Sequence, residues 1–173
     1  EFVLTYSRVA IMDQMANQLI SMMESVKTER KTKELVFLCK YCSCPSGGTL
    51  TRLFHIAQEI SSRGHNIVFV VSDSNHLSSQ PGIHVPVTEE NIHGVRYLVL
   101  KTRKYSKSTS FGRVLSWIDF EYRIFKERRK IFNNPDYILS SSPSILTILT
   151  GIYFKIKFKS KLIFDIRDIW PLS

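Results

Sequence analysis

From residue 34 onward the apolar positions fall into two alternating rhythms, short unbroken runs and stripes spaced by three and four. Leu35-Val36-Phe37-Leu38-Cys39 is apolar throughout, the pattern of a strand buried on both faces of a parallel sheet. Pro45-Ser46-Gly47-Gly48 then predicts a turn. Leu50, Leu53, Phe54, Ala57 and Ile60 mark one face of a helix closed by Arg63-Gly64. Residues 66–71 form a second apolar run and residues 95–100, opened by Gly94, a third. Residues 72–90 between them are polar and punctuated by Pro and Gly, which predicts a long loop.

A basic, Ser-rich loop at 101–110 leads into a long helix over about 111–132, with Leu115, Ile118, Tyr122, Phe125 and Phe132 on one face. Asn134-Pro135 stops it, a short fourth strand follows at 136–140, and Ser142-Pro143 opens a helix over 141–154. Residues 162–166 read as the fifth strand. Strands alternating with helix-length crossovers predict an α/β domain with a doubly wound parallel sheet.

Residues 1–33 break this rhythm. Met12, Met15, Leu19, Met22 and Val26 form one stripe, read as a helix docked on the domain's own core or as a partner-binding face. Lys27, Arg30, Lys31 and Lys33 form a basic link. The division predicted is an N-terminal helical extension at 1–33 and one Rossmann-like domain at 34–173, long enough for a full core.

Charge narrows the partners. The formal net charge is +9, an excess that suits an anionic partner or a solvated basic surface. The aromatic–basic interleaving of the common RNA-binding sheet is missing, so no nucleic acid is expected. Cys39, Cys42 and Cys44 sit together with no distant fourth, so no metal site and no disulfide framework are expected. Cys39 reads as a buried thiol, and the cysteine usage points to a reducing cytoplasm. No run reaches the roughly 18 apolar residues of a membrane span, and the start lacks the pattern of a signal peptide.

Ligands in open parallel sheets bind beyond the carboxyl ends of the strands. Three segments converge there: Gly47-Gly48, Asp73–His76 and the run from Asp165 to Trp170. Gly47-Gly48 opens a helix, where bare backbone N–H groups favour an anion; a simple tight turn is the other reading. Asp165-Ile166-Arg167-Asp168 offers paired carboxylates for acid–base work, or a salt-bridged strand end that anchors the next loop.

Taken in order, these pieces resemble the N-terminal domain of family 4 glycosyltransferases of the two-domain GT-B type. The resemblance rests on Tyr41, Pro45-Ser46-Gly47-Gly48-Thr49, Arg52, Ile56-Ala57-Gln58-Glu59-Ile60 and Arg63-Gly64-His65-Asn66-Ile67. It continues through Ser74-Asn75-His76, Gly94-Val95-Arg96-Tyr97, Pro135-Asp136-Tyr137-Ile138, Ser140-Ser141-Ser142-Pro143 and Asp165-Ile166-Arg167-Asp168-Ile169-Trp170-Pro171. The nearest flavour is the group that builds O-antigen, capsule and exopolysaccharide.

The resemblance implies transfer of a sugar from a nucleotide diphosphate donor to a lipid-linked glycan acceptor, with retention and without metal or other cofactor. It implies a donor-binding half supplied by a C-terminal domain or a separate chain, and a cytoplasmic enzyme, peripheral on the inner face of the plasma membrane. Residues 34–173 would be the acceptor-side half, inactive alone. Asp168 and Arg167 would take the catalytic positions, with Arg167 where relatives carry a His; a guanidinium cannot act as a neutral base. Gly47, Gly48, Arg52, His76 and Asp165 would line the donor diphosphate and the acceptor. The basic segments 123–130 and 101–107 would face anionic membrane lipid. A non-catalytic Rossmann-like module, attached to a membrane or a partner by its basic surface, is the alternative.

Overall fold

The computed structural model describes residues 8–24, 32–42, 52–74, 83–105, 111–142 and 144–166. Five strands run parallel: β1 (Glu34–Leu38), β2 (Asn66–Ser72), β4 (Val95–Leu100), β5 (Tyr137–Ser141) and β6 (Lys161–Asp165). A sixth, β3 (Val87–Ile92), pairs antiparallel with β4, and the sheet order is β3-β4-β2-β1-β5-β6. The fold is therefore a Rossmann-like α/β sheet. Its parallel strands run outward from β1 through β2 to β4 on one side, and through β5 to β6 on the other. The order reverses between β1 and β5, the place where open α/β sheets bind ligands beyond the strand ends.

Unbroken apolar runs are needed because both faces are covered. Leu35, Phe37, Phe69, Val71, Tyr97 and Leu139 point to the face packed by α2 (Arg52–Ser62), through Leu53, Phe54, Ile56, Ala57 and Ile60. Val36, Leu38, Val68, Val70, Leu98 and Ile138 point to the other face. There they meet Phe120 and Ile124 of α3 (Phe111–Lys126), Ile131 of α4 (Arg128–Ile131) and Phe154 of α5 (Ile145–Phe158). The aromatic stack of Phe132 on Phe154, centroids 4.0 Å apart, joins the end of α4 to α5. Gly151 of α5 sits against β5 and β6. A Cβ there would overlap Ser140 Oγ and press Leu162 at 3.0 Å, so an added side chain would require both to shift.

α1 (Arg8–Glu24) lies on α2 and docks on the domain's own core through Ala16 and Ile20, with Met15 and Leu19 partly buried. The predicted stripe is rotated, for Met22 is exposed. Strand starts are held by polar contacts: Glu34 N donates to Asp136 Oδ2 at 2.9 Å, and Lys33 N to His65 Nδ1 at 3.2 Å.

Four further expectations need correction. The loop predicted at 72–90 contains the start of β3, whose Thr88-Glu89-Glu90-Asn91 lacks an apolar signal because an edge strand buries little. The helix predicted to 132 breaks at Glu127 and resumes as α4. The fifth predicted strand, β6, is a half-exposed edge, not a buried strand. Cys39 is no free thiol: it is bonded to Cys42 across the turn after β1, Cα atoms 5.6 Å apart, and both residues are fully buried. The inference from cysteine usage to a reducing compartment falls with it. Among the described residues, no helix is long and apolar enough to cross a membrane.

Candidate functional site

The rim beyond the carboxyl ends of β1 and β5 includes the Cys39–Cys42 turn, the start of α2, Ser141-Ser142 and the end of β6. Two predicted site residues meet here. Asp165, at the end of β6, accepts a hydrogen bond and ion pair from Arg52 Nη2 at the start of α2. Its Oδ2 accepts from Ser141 Oγ at 2.9 Å, and its backbone O accepts from Ser142 N at 3.0 Å. With both carboxylate oxygens engaged, Asp165 anchors the strand end. Arg52 is more exposed than its partner, and its Nη1 lies 3.5 Å from Met15 Sδ of α1. A guanidinium in this position can meet an anion while its partner holds it in place.

Gly47, Gly48, His76, Arg167 and Asp168 lie outside the described residues. Arg52 follows the glycine turn by four positions, and Asp165 precedes Asp168 by three.

Asp73, expected to border the site, is instead buried in the structure of the neighbouring rim. Its Oδ1 accepts from Thr102 N at 2.8 Å and its Oδ2 pairs with Lys104 at 3.1 Å. The carboxylate closes the segments after β2 and β4 onto each other.

The residue that sequence reasoning missed is Lys40. It directly follows the apolar run of β1 and is only 2% exposed. Its ammonium donates to Ser116 Oγ at 2.9 Å, and to Ser72 Oγ and Ser74 O at 3.3 Å each. The rings of Tyr41, Phe120 and Tyr105 surround it, centroids 5.2, 5.7 and 6.0 Å away. Burial pushes its pKa from 10.5 down to about 8, against the attraction of Asp73, Glu121 and Asp119. Three donors and three acceptors match, so Lys40 ties the ends of β1 and β2 to α3. A charged residue immediately beyond a buried strand was the available signal.

Beside it, Tyr41 Oη accepts from Trp117 Nε1 at 2.5 Å, and Arg113 lies over the Trp117 ring at 5.2 Å. A second buried ionisable group, Glu121, lies between α3 and α5. Its Oε1 accepts from Thr147 Oγ1 at 2.5 Å. Burial raises its pKa, offset in part by the hydroxyls of Thr147 and Thr150.

No protein-family model and no curated protein matches the chain. Among solved structures it is similar to the C-terminal domain of a hydrogenase from Pyrococcus furiosus. The TM-score is 0.51 at 11% sequence identity, over 81% of this chain and 95% of that one. At that identity the likeness is one of fold alone.

Proposed function

We propose that residues 34–173 are the acceptor-side half of a sugar-nucleotide glycosyltransferase of cell-surface polysaccharide synthesis. The donor-binding half is carried by a further domain or a separate chain. In this reading Gly47 and Gly48 face the donor diphosphate, and Asp168 and Arg167 contact the acceptor or the transferring sugar. Arg52 supplies positive charge beside them. The nucleotide sugar is a co-substrate, no metal is required, and the acceptor is a lipid-linked glycan. The chain works on the cytoplasmic side, in peripheral contact with anionic membrane.

The observation that carries this reading is the contact of Arg52 with Asp165. It brings Arg52, four positions after the glycine turn, and Asp165, two before Arg167, to one rim beside the reversal of strand order. Had they stood at opposite edges of the sheet, no single ligand could span both.

The test is ligand-observed NMR on this chain. A polyprenyl diphosphate-linked sugar should give saturation transfer that Arg52→Ala weakens, and free nucleotide sugars should give little. Tight nucleotide-sugar binding, with the lipid-linked sugar silent, would overturn the assignment.

A further inference from the structure

The four residues that leave β1 make contacts on both faces of the sheet. Cys39 prolongs the strand, its N–H donating to Val70 O of β2 at 3.0 Å. Cys42 N donates back to Cys39 O at 3.4 Å, so Cys39-Lys40-Tyr41-Cys42 is one turn. Both cysteines belong to the core cluster packed by α2, and their bond closes the turn on that face. The two residues between them serve the other face. Lys40 donates to Ser116 Oγ of α3, and Tyr41 Oη accepts from Trp117 Nε1 of α3. Tyr41 Oη also lies 3.4 Å from Tyr105 Oη and from Arg113 Nε.

This turn carries much of what holds the start of α3. The buried side chains of α3 are Ser116, Phe120, Glu121 and Ile124, so its first two turns bring only Ser116 to the sheet, and the partner of Ser116 is Lys40. Asp119 adds a contact to Arg103 N at 2.7 Å, one turn further on. Phe120 and Ile124 then fix the rest of the helix by apolar packing. The bond closes a very short loop, with its cysteines three positions apart. A loop that short removes less entropy from the unfolded chain than a long one. Opening it would therefore loosen the turn while the apolar core of Phe37, Phe69 and Leu139 stays packed.

We infer that Cys39–Cys42 is a thiol–disulfide exchange site whose oxidation state sets how firmly the start of α3 is held at the ligand-binding rim. A dithiol supplies the reducing electrons. Its thiolate attacks one sulfur of the pair and forms a mixed disulfide, and the other cysteine leaves as a thiolate that takes up a proton. The second thiol of the reductant then displaces the first. Both cysteines end as thiols and the reductant as its own disulfide, with two electrons and two protons passed. A small-molecule disulfide reverses the sequence. Neither cysteine has exposed surface, so attack proceeds through an opened turn. In the reduced state Lys40 and Tyr41 are no longer held at a fixed spacing, and their contacts with Ser116 and Trp117 loosen. Gly47 follows Cys42 by five positions, so the change falls at the base of the segment assigned above to the donor diphosphate. Only that consequence rests on the proposed function. The exchange itself is read without donor or acceptor, so its failure leaves the transferase reading standing.

Trp117 reports on the switch. Trp170→Phe makes it the sole tryptophan, in the otherwise whole chain. The protein is equilibrated in mixtures of reduced and oxidised dithiothreitol, and alkylation with peptide mapping counts and locates the thiols. A single reversible two-electron transition should appear, with Trp117 emission shifted to the red in the reduced form. Hydrogen exchange over residues 39–42 and 111–118 should quicken at least about tenfold on reduction, with β4 and β5 unchanged. The reduction rate should level off at high dithiothreitol, where opening of the turn limits it. Cys44→Ser should respond as wild type, and Cys39→Ser with Cys42→Ser should resemble the reduced protein in either buffer. Circular dichroism reports whether each form is folded, and reduced wild type gives the same reading should the double variant not fold. Reduction that unfolds the chain would make the bond a structural brace and overturn the inference. So would a transition that leaves Trp117 emission and exchange at 111–118 unchanged, mapping that places Cys44 in the bond, or thiols that stay unpaired in the oxidising buffer.

Discussion

Replacing Lys40 by methionine isolates the cost of burying its charge. The ammonium titrates near 8 in the folded chain against 10.5 when solvated. Below pH 8 both states are protonated, and the folded state carries the full desolvation penalty. As pH rises through 8, the folded protein releases the proton first, while the unfolded chain holds it to about 10.5. Unfolded protein then binds more protons, so stability rises with pH. The contribution is complete above 10.5 and lost as pH falls through 8. Linkage gives about 1 kcal/mol by pH 9, between about 2 and 3 kcal/mol by pH 10, and almost nothing at pH 7. The methionine variant lacks this group, so subtracting its stability cancels most other titrations. Urea unfolding of both proteins at pH 7, 8, 9 and 10 should show wild type gaining on Lys40→Met by that amount. A pH-independent difference, or one of opposite sign, would refute the reasoning, because it would mean that Lys40 is solvated or fully compensated by Asp73, Glu121 and Asp119.

Two more expectations concern buried and rim carboxylates. The Glu121 carboxyl titrates higher in the folded state, so its contribution is present at low pH and declines as pH rises through its folded value. Glu121→Gln should therefore be the more stable protein at pH 7, with the gap closing toward about pH 4, as read by denaturant midpoints. A double-mutant cycle of Arg52→Ala and Asp165→Asn should give a coupling of roughly 1 kcal/mol, modest because Arg52 is partly exposed. Coupling indistinguishable from zero would mean that the rim contact does not persist in solution.

The doubly wound sheet was legible because two-sided burial leaves a strong trace: Leu35 to Cys39 and residues 67–71 are apolar at every position. β3 left no such trace. Its stability comes from backbone pairing to β4, and pairing is invisible in a polar run such as Thr88-Glu89-Glu90-Asn91. The break at Glu127 was equally hidden, since no Gly or Pro marks it. In the site, Asp165 was found by its position at a strand end, and Arg52 only through the family resemblance. Their mutual contact could not be read, because it joins residues 113 apart. Lys40 was missed for a related reason: its acceptors Ser72, Ser74 and Ser116 come from segments that no local pattern connects. The disulfide escaped because a spacing of three residues constrains the chain too little to look like a scaffold.

The absent side chain at Gly151 has an effect beyond its own contact with Ser140 and Leu162. A helix lying on a sheet can roll about its axis unless one position must always face inward. Gly151 shares that role in α5 with the buried Thr147, Thr150 and Phe154, and together they set the helix's rotational phase and with it which isoleucines turn outward. A single added methyl group would act as a wedge, and its consequence would appear on the opposite side of the helix, at Ile145, Leu149 and Ile156, rather than where it was inserted.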